Sequence, residues 1–184
     1  ARSFLVKKFG QPIDDQDVSL AVNSQRGRSQ NQLHIHISCL RPDVRDLIQS
    51  EFTKKTSPTQ KSTGENLKSK SDWQEFPGGL LGHKYLVRSI SLEQLKSENV
   101  FDLLAQLANG DSEAKQISSP FGEKDDKPQI GDFGLALVAL SSPQKGKEFL
   151  LLADRANLLS LNRGHVEEIQ DHTCPQLYKS KNNL

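Results

Sequence analysis

Two histidines one residue apart, His34 and His36, lie in the run Leu33-His34-Ile35-His36-Ile37-Ser38-Cys39, where aliphatic and polar side chains alternate. A strand turns successive side chains to opposite faces. This spacing therefore predicts both imidazoles on one face beside Ser38, with Leu33, Ile35, Ile37 and Cys39 on a buried one. At the usual rise of a strand the two rings stand roughly 6 to 7 Å apart. Neutral imidazole is a nucleophile at phosphorus, because an unperturbed pKa of about 6.5 leaves the ring largely uncharged at pH 7. Its neighbour can meet another oxygen of the same substrate. His-x-His on a strand can also supply two zinc ligands, with His83, His165 or an acid as the third. No third ligand has metal-like spacing, and no metal or other cofactor is expected. The plain reading is a pair of half-exposed strand residues.

The elements around the histidines are legible as an α+β chain with antiparallel strands. Val18 to Val22 has strand composition and ends at Asn23, and Ser24 to Arg28 around Gly27 supplies turn chemistry, so the histidine strand is the second arm of a hairpin. Arg41-Pro42-Asp43 opens a helix with Val44, Leu47, Ile48 and Phe52 at helical spacing. Pro77-Gly78-Gly79-Leu80-Leu81-Gly82-His83 leads into a strand from Lys84 to Ile90, and it is neither a P-loop nor a dinucleotide fingerprint. Ser91 and Gln94 form a capping box for the next helix, with Ile90 and Leu95 as its hydrophobic staple. A further helix over 99–108 buries Phe101, Leu104 and Leu107 and stops at Gly110. Phe133 to Leu140 and Glu148 to Ala153 read as a hairpin with a long loop. Leu158, Leu159 and Leu161 are expected to extend the core, a short helix spans His165 to Asp171, and Lys179 to Leu184 is a frayed tail.

With 184 residues the chain suits a single domain, 1–184. Apolar content is 34% and mean hydropathy −0.60, so part of the length must be surface or loop. Thr53 to Asp72 holds one large apolar side chain, Leu67, and cannot offset the roughly 1 to 2 kcal/mol of backbone entropy that ordering each residue costs, which predicts a mobile insertion. A second polar loop covers Asp111 to Ile130. Twenty-four Lys and Arg against 23 Asp and Glu, with no dense basic stripe, argue against nucleic acid as a partner. No run approaches the ~20 apolar residues that cross a bilayer. The opening Ala1 to Gly10 has no initiator Met and reads as a helix closed by a C-terminal glycine, as in a chain whose upstream part is missing. Cys39 and Cys174 fit no CxxC pattern; Cys39 is either a small apolar filler or bridged to Cys174, which would imply an oxidising compartment.

Gly27-Arg28-Ser29-Gln30-Asn31-Gln32-Leu33-His34-Ile35-His36-Ile37-Ser38-Cys39 resembles the active-site strand of the histidine triad superfamily, in which three histidines alternate with apolar residues after Gly-x-Ser/Thr. Together with Arg41-Pro42-Asp43-Val44-Arg45, Pro77-Gly78-Gly79-Leu80, Gly82-His83, Leu161-Asn162-Arg163 and Glu167-Glu168-Ile169-Gln170-Asp171-His172, it looks like the bacterial CDP-diacylglycerol pyrophosphatases. The resemblance covers most of the chain and leaves out Thr53 to Asp72. It implies a histidine-triad-like antiparallel sheet with flanking helices and a hydrolase that cleaves CDP-diacylglycerol to CMP and phosphatidate through a nucleotidyl-histidine. It also implies a lipid surface as partner, and an inner-membrane location facing the periplasm.

Two registers onto that motif are open. Placing Gly27 and Ser29 on Gly-x-Ser/Thr makes His34 the nucleophile and His36 the third position, with Gln32 where the first histidine would stand; this is the preferred one. The other takes His34 as first, His36 as nucleophile and Ser38 as third, and suits the distance from Asn23. In either, Asn23, Ser29, Gln32 or Ser38 and the remaining histidine would hold substrate oxygens, and Arg28, Lys84, Arg88 and Arg163 could neutralise the pyrophosphate. Rival functions are another nucleotide pyrophosphatase or nucleotidyl transferase of the superfamily, and a nucleotide- or lipid-binding module without turnover.

Overall fold

The computed structural model describes residues 1–53, 73–110, 128–141, 147–157 and 160–179. The expected insertion after Thr53, the polar loop over 111–127, Leu158, Leu159 and the tail beyond Lys179 lie outside them.

Seven strands form one antiparallel sheet: β1 (Val18–Val22), β2 (His36–Leu40), β3 (Gln74–Glu75), β4 (Tyr85–Ser91), β5 (Phe133–Leu140), β6 (Glu148–Arg155) and β7 (Gln170–Asp171). Their spatial order is β3-β4-β6-β5-β1-β2-β7. The most apolar runs, β5 and β6, take central places because both their faces are covered. On one face Val44 and Ile48 of α2 (Pro42–Thr53) pack with Leu150, Leu152, Ala136 and Val138. On the other, Leu103, Leu104 and Leu107 of α4 (Val100–Gly110) meet Leu151, Ala153 and Leu135. Successive residues of β6 thus enter different cores, as a period of two requires. The architecture is α+β, as the sequence predicted.

Local signals of the sequence reappear as geometry. The Ser91 hydroxyl accepts from the Gln94 N–H at 3.1 Å, and the Gln94 side chain accepts from the Ser91 N–H at 3.0 Å, opening α3 (Leu92–Ser97). Helix α1 (Arg2–Phe9) ends at Gly10 in the left-handed region, φ 71°. Cys39 and Cys174 are bridged, so the disulfide, not the free apolar filler, is what buries them. The bridge holds α5 (Gln176–Lys179) and the preceding turn against β2.

Several expectations about side-chain placement fail: Ser38, expected on the presented face beside the imidazoles, is fully buried, and the two rings, expected roughly 6 to 7 Å apart, have centroids 4.8 Å apart. The histidine strand pairs with β1 only from His36 onward, opposite Ala21, so Leu33 and Ile35 are not on a buried face but 62% and 55% exposed. β1 turns away after Val22, and without a partner strand the alternation beyond it has nothing to pack on. Leu161, expected in the core, is 87% exposed at φ 59°.

The register sets the site at one end of the sheet. Ala21 faces His36, Val22 faces Leu135, Gly134 faces Asp154, and Asp154 faces Tyr85, so the end of β1 and the start of β2, the start of β5, the end of β6 and the start of β4 all meet there. Residues 162–169 cross this end.

Candidate active site

His36 opens β2 with its ring partly exposed. Its Nδ1 lies 2.8 Å from Oε2 of Glu167, whereas its Nε2 is shielded from solvent and has no hydrogen-bond partner among the described residues. A carboxylate only accepts, so Nδ1 carries the proton and the lone pair sits on Nε2. Burial pushes the ring's pKa below the ordinary 6.5; Glu167 pulls it back upward, and His34, His172 and His165 add to the depression. The imidazole is therefore neutral at pH 7.

Glu167 is held from three sides. Its second oxygen, Oε1, is 2.6 Å from Nε2 of His165, and its backbone N–H donates to Oδ1 of Asn23 at 3.2 Å. Asn23 thus uses its carbonyl oxygen on the turn that carries Glu167. Just behind, Gln170 donates to the His36 carbonyl at 3.2 Å and to the Ser19 hydroxyl at 3.0 Å, tying β7, β1 and β2 together.

The turn itself is fixed by contacts that leave no room for side chains. Ser24 donates to the Arg163 carbonyl, a Cβ on Gly27 would lie 2.9 Å from that oxygen, and one on Gly134 would lie 2.5 Å from the Gly164 carbonyl. The fully buried Asp154 accepts from the Asn162 amide at 2.8 Å, and the Gly164 N–H donates to the Asn162 side-chain oxygen at 2.8 Å. Burial pushes the Asp154 carboxyl up to about 6. The next acid, Glu168, turns the other way and accepts from the Tyr85 hydroxyl at 2.8 Å, with His83 Nε2 at 3.6 Å. Two consecutive glutamates thereby serve different partners, Glu167 the imidazoles of His36 and His165, Glu168 the Tyr85 hydroxyl and the His83 ring.

The remaining residues singled out from sequence divide. His34 is half-buried, its ring centroid 4.8 Å from that of His36, and its Nδ1 is 3.0 Å from the Gln32 carbonyl, so Gln32 contributes backbone while its side chain is exposed. Ser29 is exposed. Ser38 is fully buried and its hydroxyl reaches the Asp171 carbonyl at 3.4 Å. Arg28 donates to Asn31, Lys84 stands 3.8 Å from Glu75, and Arg88 lies buried on β4 beside Glu98. Arg163 is exposed on the crossing segment. Glu167 and the pairing role of His165 carried no local signal, because an acid close to a histidine in sequence is common and its partner, His36, is far along the chain.

A model of the CDP-diacylglycerol pyrophosphatase family matches residues 1–178. The chain belongs to that family. It is also 42% identical, over 177 residues, to a protein of Yersinia pestis described as CDP-diacylglycerol pyrophosphatase. That alignment takes in 96% of this chain and 56% of the relative, so the chain spans about half the relative's length. Both matches take in nearly the whole chain, His36 and Glu167 included. No helix among the described residues is long and apolar enough to cross a membrane.

Proposed function

We propose that this chain hydrolyses the pyrophosphate of CDP-diacylglycerol, with His36 as the nucleophile. In the unliganded chain Nε2 of His36 is covered, so substrate must displace that cover; Nε2 then attacks the cytidylyl phosphorus in line, and the bond to the bridging oxygen breaks, releasing phosphatidate. Water then attacks the same phosphorus, the P–N bond breaks, CMP leaves, and one proton passes to solvent. While the phosphorus is attached to Nε2, the ring still carries its Nδ1 proton and is cationic. Glu167 faces that charge at 2.8 Å, which favours the intermediate as a carboxylate favours an imidazolium in general acid–base catalysis.

The observation that supports His36 over His34 is the division of labour between its two nitrogens: one on a carboxylate, the other without a partner. His34 donates only to a backbone carbonyl, Gln32 O. Half-buried beside His36, it is placed to meet a nonbridging or leaving oxygen. The second register, in which His34 precedes the nucleophile, is the one we adopt, and with it a histidine-triad-like arrangement. Its third polar position, Ser38, is buried and serves the strand. The Cys39–Cys174 bridge suits an oxidising compartment and so supports a location on the periplasmic side of the inner membrane, at a lipid surface.

Substitution tests the assignment. His36→Ala should lower CMP release from CDP-diacylglycerol by about 10⁴-fold or more with the fold intact, and His34→Ala by roughly 10²-fold. Undiminished turnover in His36→Ala would remove His36 from the role.

A further inference from the structure

Six large hydrophobic side chains are strongly exposed among the described residues, and four of them leave the same end of the sheet as His36. Leu33 and Ile35 precede β2, Ile130 precedes β5 and Leu161 follows β6, with exposures of 62%, 55%, 42% and 87%. Single exposed aliphatics are ordinary on any protein. Four on three loops around one site, two of them alternating with its histidines, are not scattered. Leu161 makes the point most sharply. It sits at φ 59°, a conformation unfavourable for leucine, and buries almost nothing in return. Its aliphatic surface contributes nothing to this fold. The same loops carry Arg163, which is exposed, and Arg26, whose Nε stands 3.8 Å from Oδ1 of Asp132.

We infer that this rim is a membrane-docking edge, on which Leu33, Ile35 and Leu161 enter the acyl–headgroup boundary of an anionic phospholipid bilayer. The inference rests on the proposed lipid substrate and adds how the site reaches it. A diacylglycerol pyrophosphate keeps its acyl chains in the bilayer and its phosphates in the headgroup layer. Side chains that dip about 5 to 10 Å into the boundary leave imidazoles one or two residues away at the depth of those phosphates. The exposed Arg163 matches the negative headgroups.

The triple variant Leu33→Gln, Ile35→Gln, Leu161→Asn tests this, with circular dichroism to verify the fold; Leu161→Asn alone, at a position whose backbone suits asparagine, serves if the triple variant misfolds. Co-sedimentation with phosphatidylcholine–phosphatidylglycerol vesicles should fall by about tenfold or more in the triple variant, and measurably in the single one. Binding by the unaltered chain should weaken when phosphatidylglycerol is omitted. CMP release from bilayer-embedded CDP-diacylglycerol should fall with vesicle binding, while release from a water-dispersed short-chain analogue is retained. Unchanged vesicle binding would overturn the docking edge. So would a dimer of the unaltered chain that the variant converts to monomer, which would assign the same leucines to a second copy. If the unaltered chain releases no CMP from either substrate yet docks through these residues, the hydrolase reading falls and the docking edge stands.

Discussion

At the scale of single residues, the site turns on how one imidazole is wired. Glu167 fixes the tautomer of His36 and burial keeps the ring unprotonated at neutral pH, while in the proposed reaction the same carboxylate would face the positive charge formed on the ring. The sign of the pH dependence follows. Since the pKa of the unliganded chain lies below 6.5, protonation removes the proposed nucleophile only below that value, so kcat/KM should be level through pH 7 and fall on the acid side of 6.5. Stability moves with it: between the depressed value and 6.5 the unfolded chain binds more protons, so the contribution of His36 to stability declines as pH drops through that window. Glu167→Gln removes both the tautomer lock and the influence that raises the pKa. It should lower kcat by roughly 10²- to 10⁴-fold and move the acid limb to lower pH, read from pH–rate profiles of the two proteins. An unmoved limb would show that Glu167 does not act on His36. The histidine pair was legible in sequence from its alternation. Glu167 was not, since nothing local distinguishes the acid that folds onto His36 from Glu168, which folds onto Tyr85.

At the scale of elements, the segment over 162–169 does the positioning, and it is held by close backbone approaches as much as by side chains. Gly134 in β5 and Gly27 in the first loop both lie where a methyl group would strike the carbonyls of Arg163 or Gly164. Gly134→Ala should therefore lift the segment, costing about 1 to 3 kcal/mol in denaturant unfolding and lowering kcat through the displaced Glu167, with KM less affected. Loss of stability with kcat intact would mean the segment does not govern the site. Strand β2 shows where sequence pattern runs out. Leu33-His34-Ile35 alternates as cleanly as Ile37-Ser38-Cys39, yet only the second run faces a partner strand, because β1 ends at Val22 and Asn23 turns to hold Glu167. Periodicity records what could pair; the length of the neighbour decides what does. The capping box of α3 and the pairing of β5 with β6 depend on residues close in the chain and came out as predicted.

For the whole molecule, the sheet gathers the ends of five strands into one polar end while two helical layers cover its faces. The Cys39–Cys174 bridge, 135 residues apart in sequence, fastens the C-terminal turns to the strand that carries His36. A loop of that length is expensive to close in the unfolded chain, so the bridge should stabilise the fold by about 2 to 5 kcal/mol. Reduction, or Cys39→Ala with Cys174→Ala, should lower the midpoint of urea unfolding accordingly. An unshifted midpoint would show that the bridge constrains nothing. Sequence left this pairing open because two cysteines so far apart fit a disulfide and a buried apolar pair equally well. Only the fold brings their Cα atoms to 5.2 Å.

The most direct measurement is to quench the chain during turnover of CDP-diacylglycerol labelled in the cytidylyl phosphorus and to locate the label by peptide mass spectrometry under alkaline conditions that preserve phosphoramidates. The label should be found on His36, absent from His36→Ala and accumulated when hydrolysis is slowed. Label on His34, or CMP formed without any labelled peptide, would contradict the account.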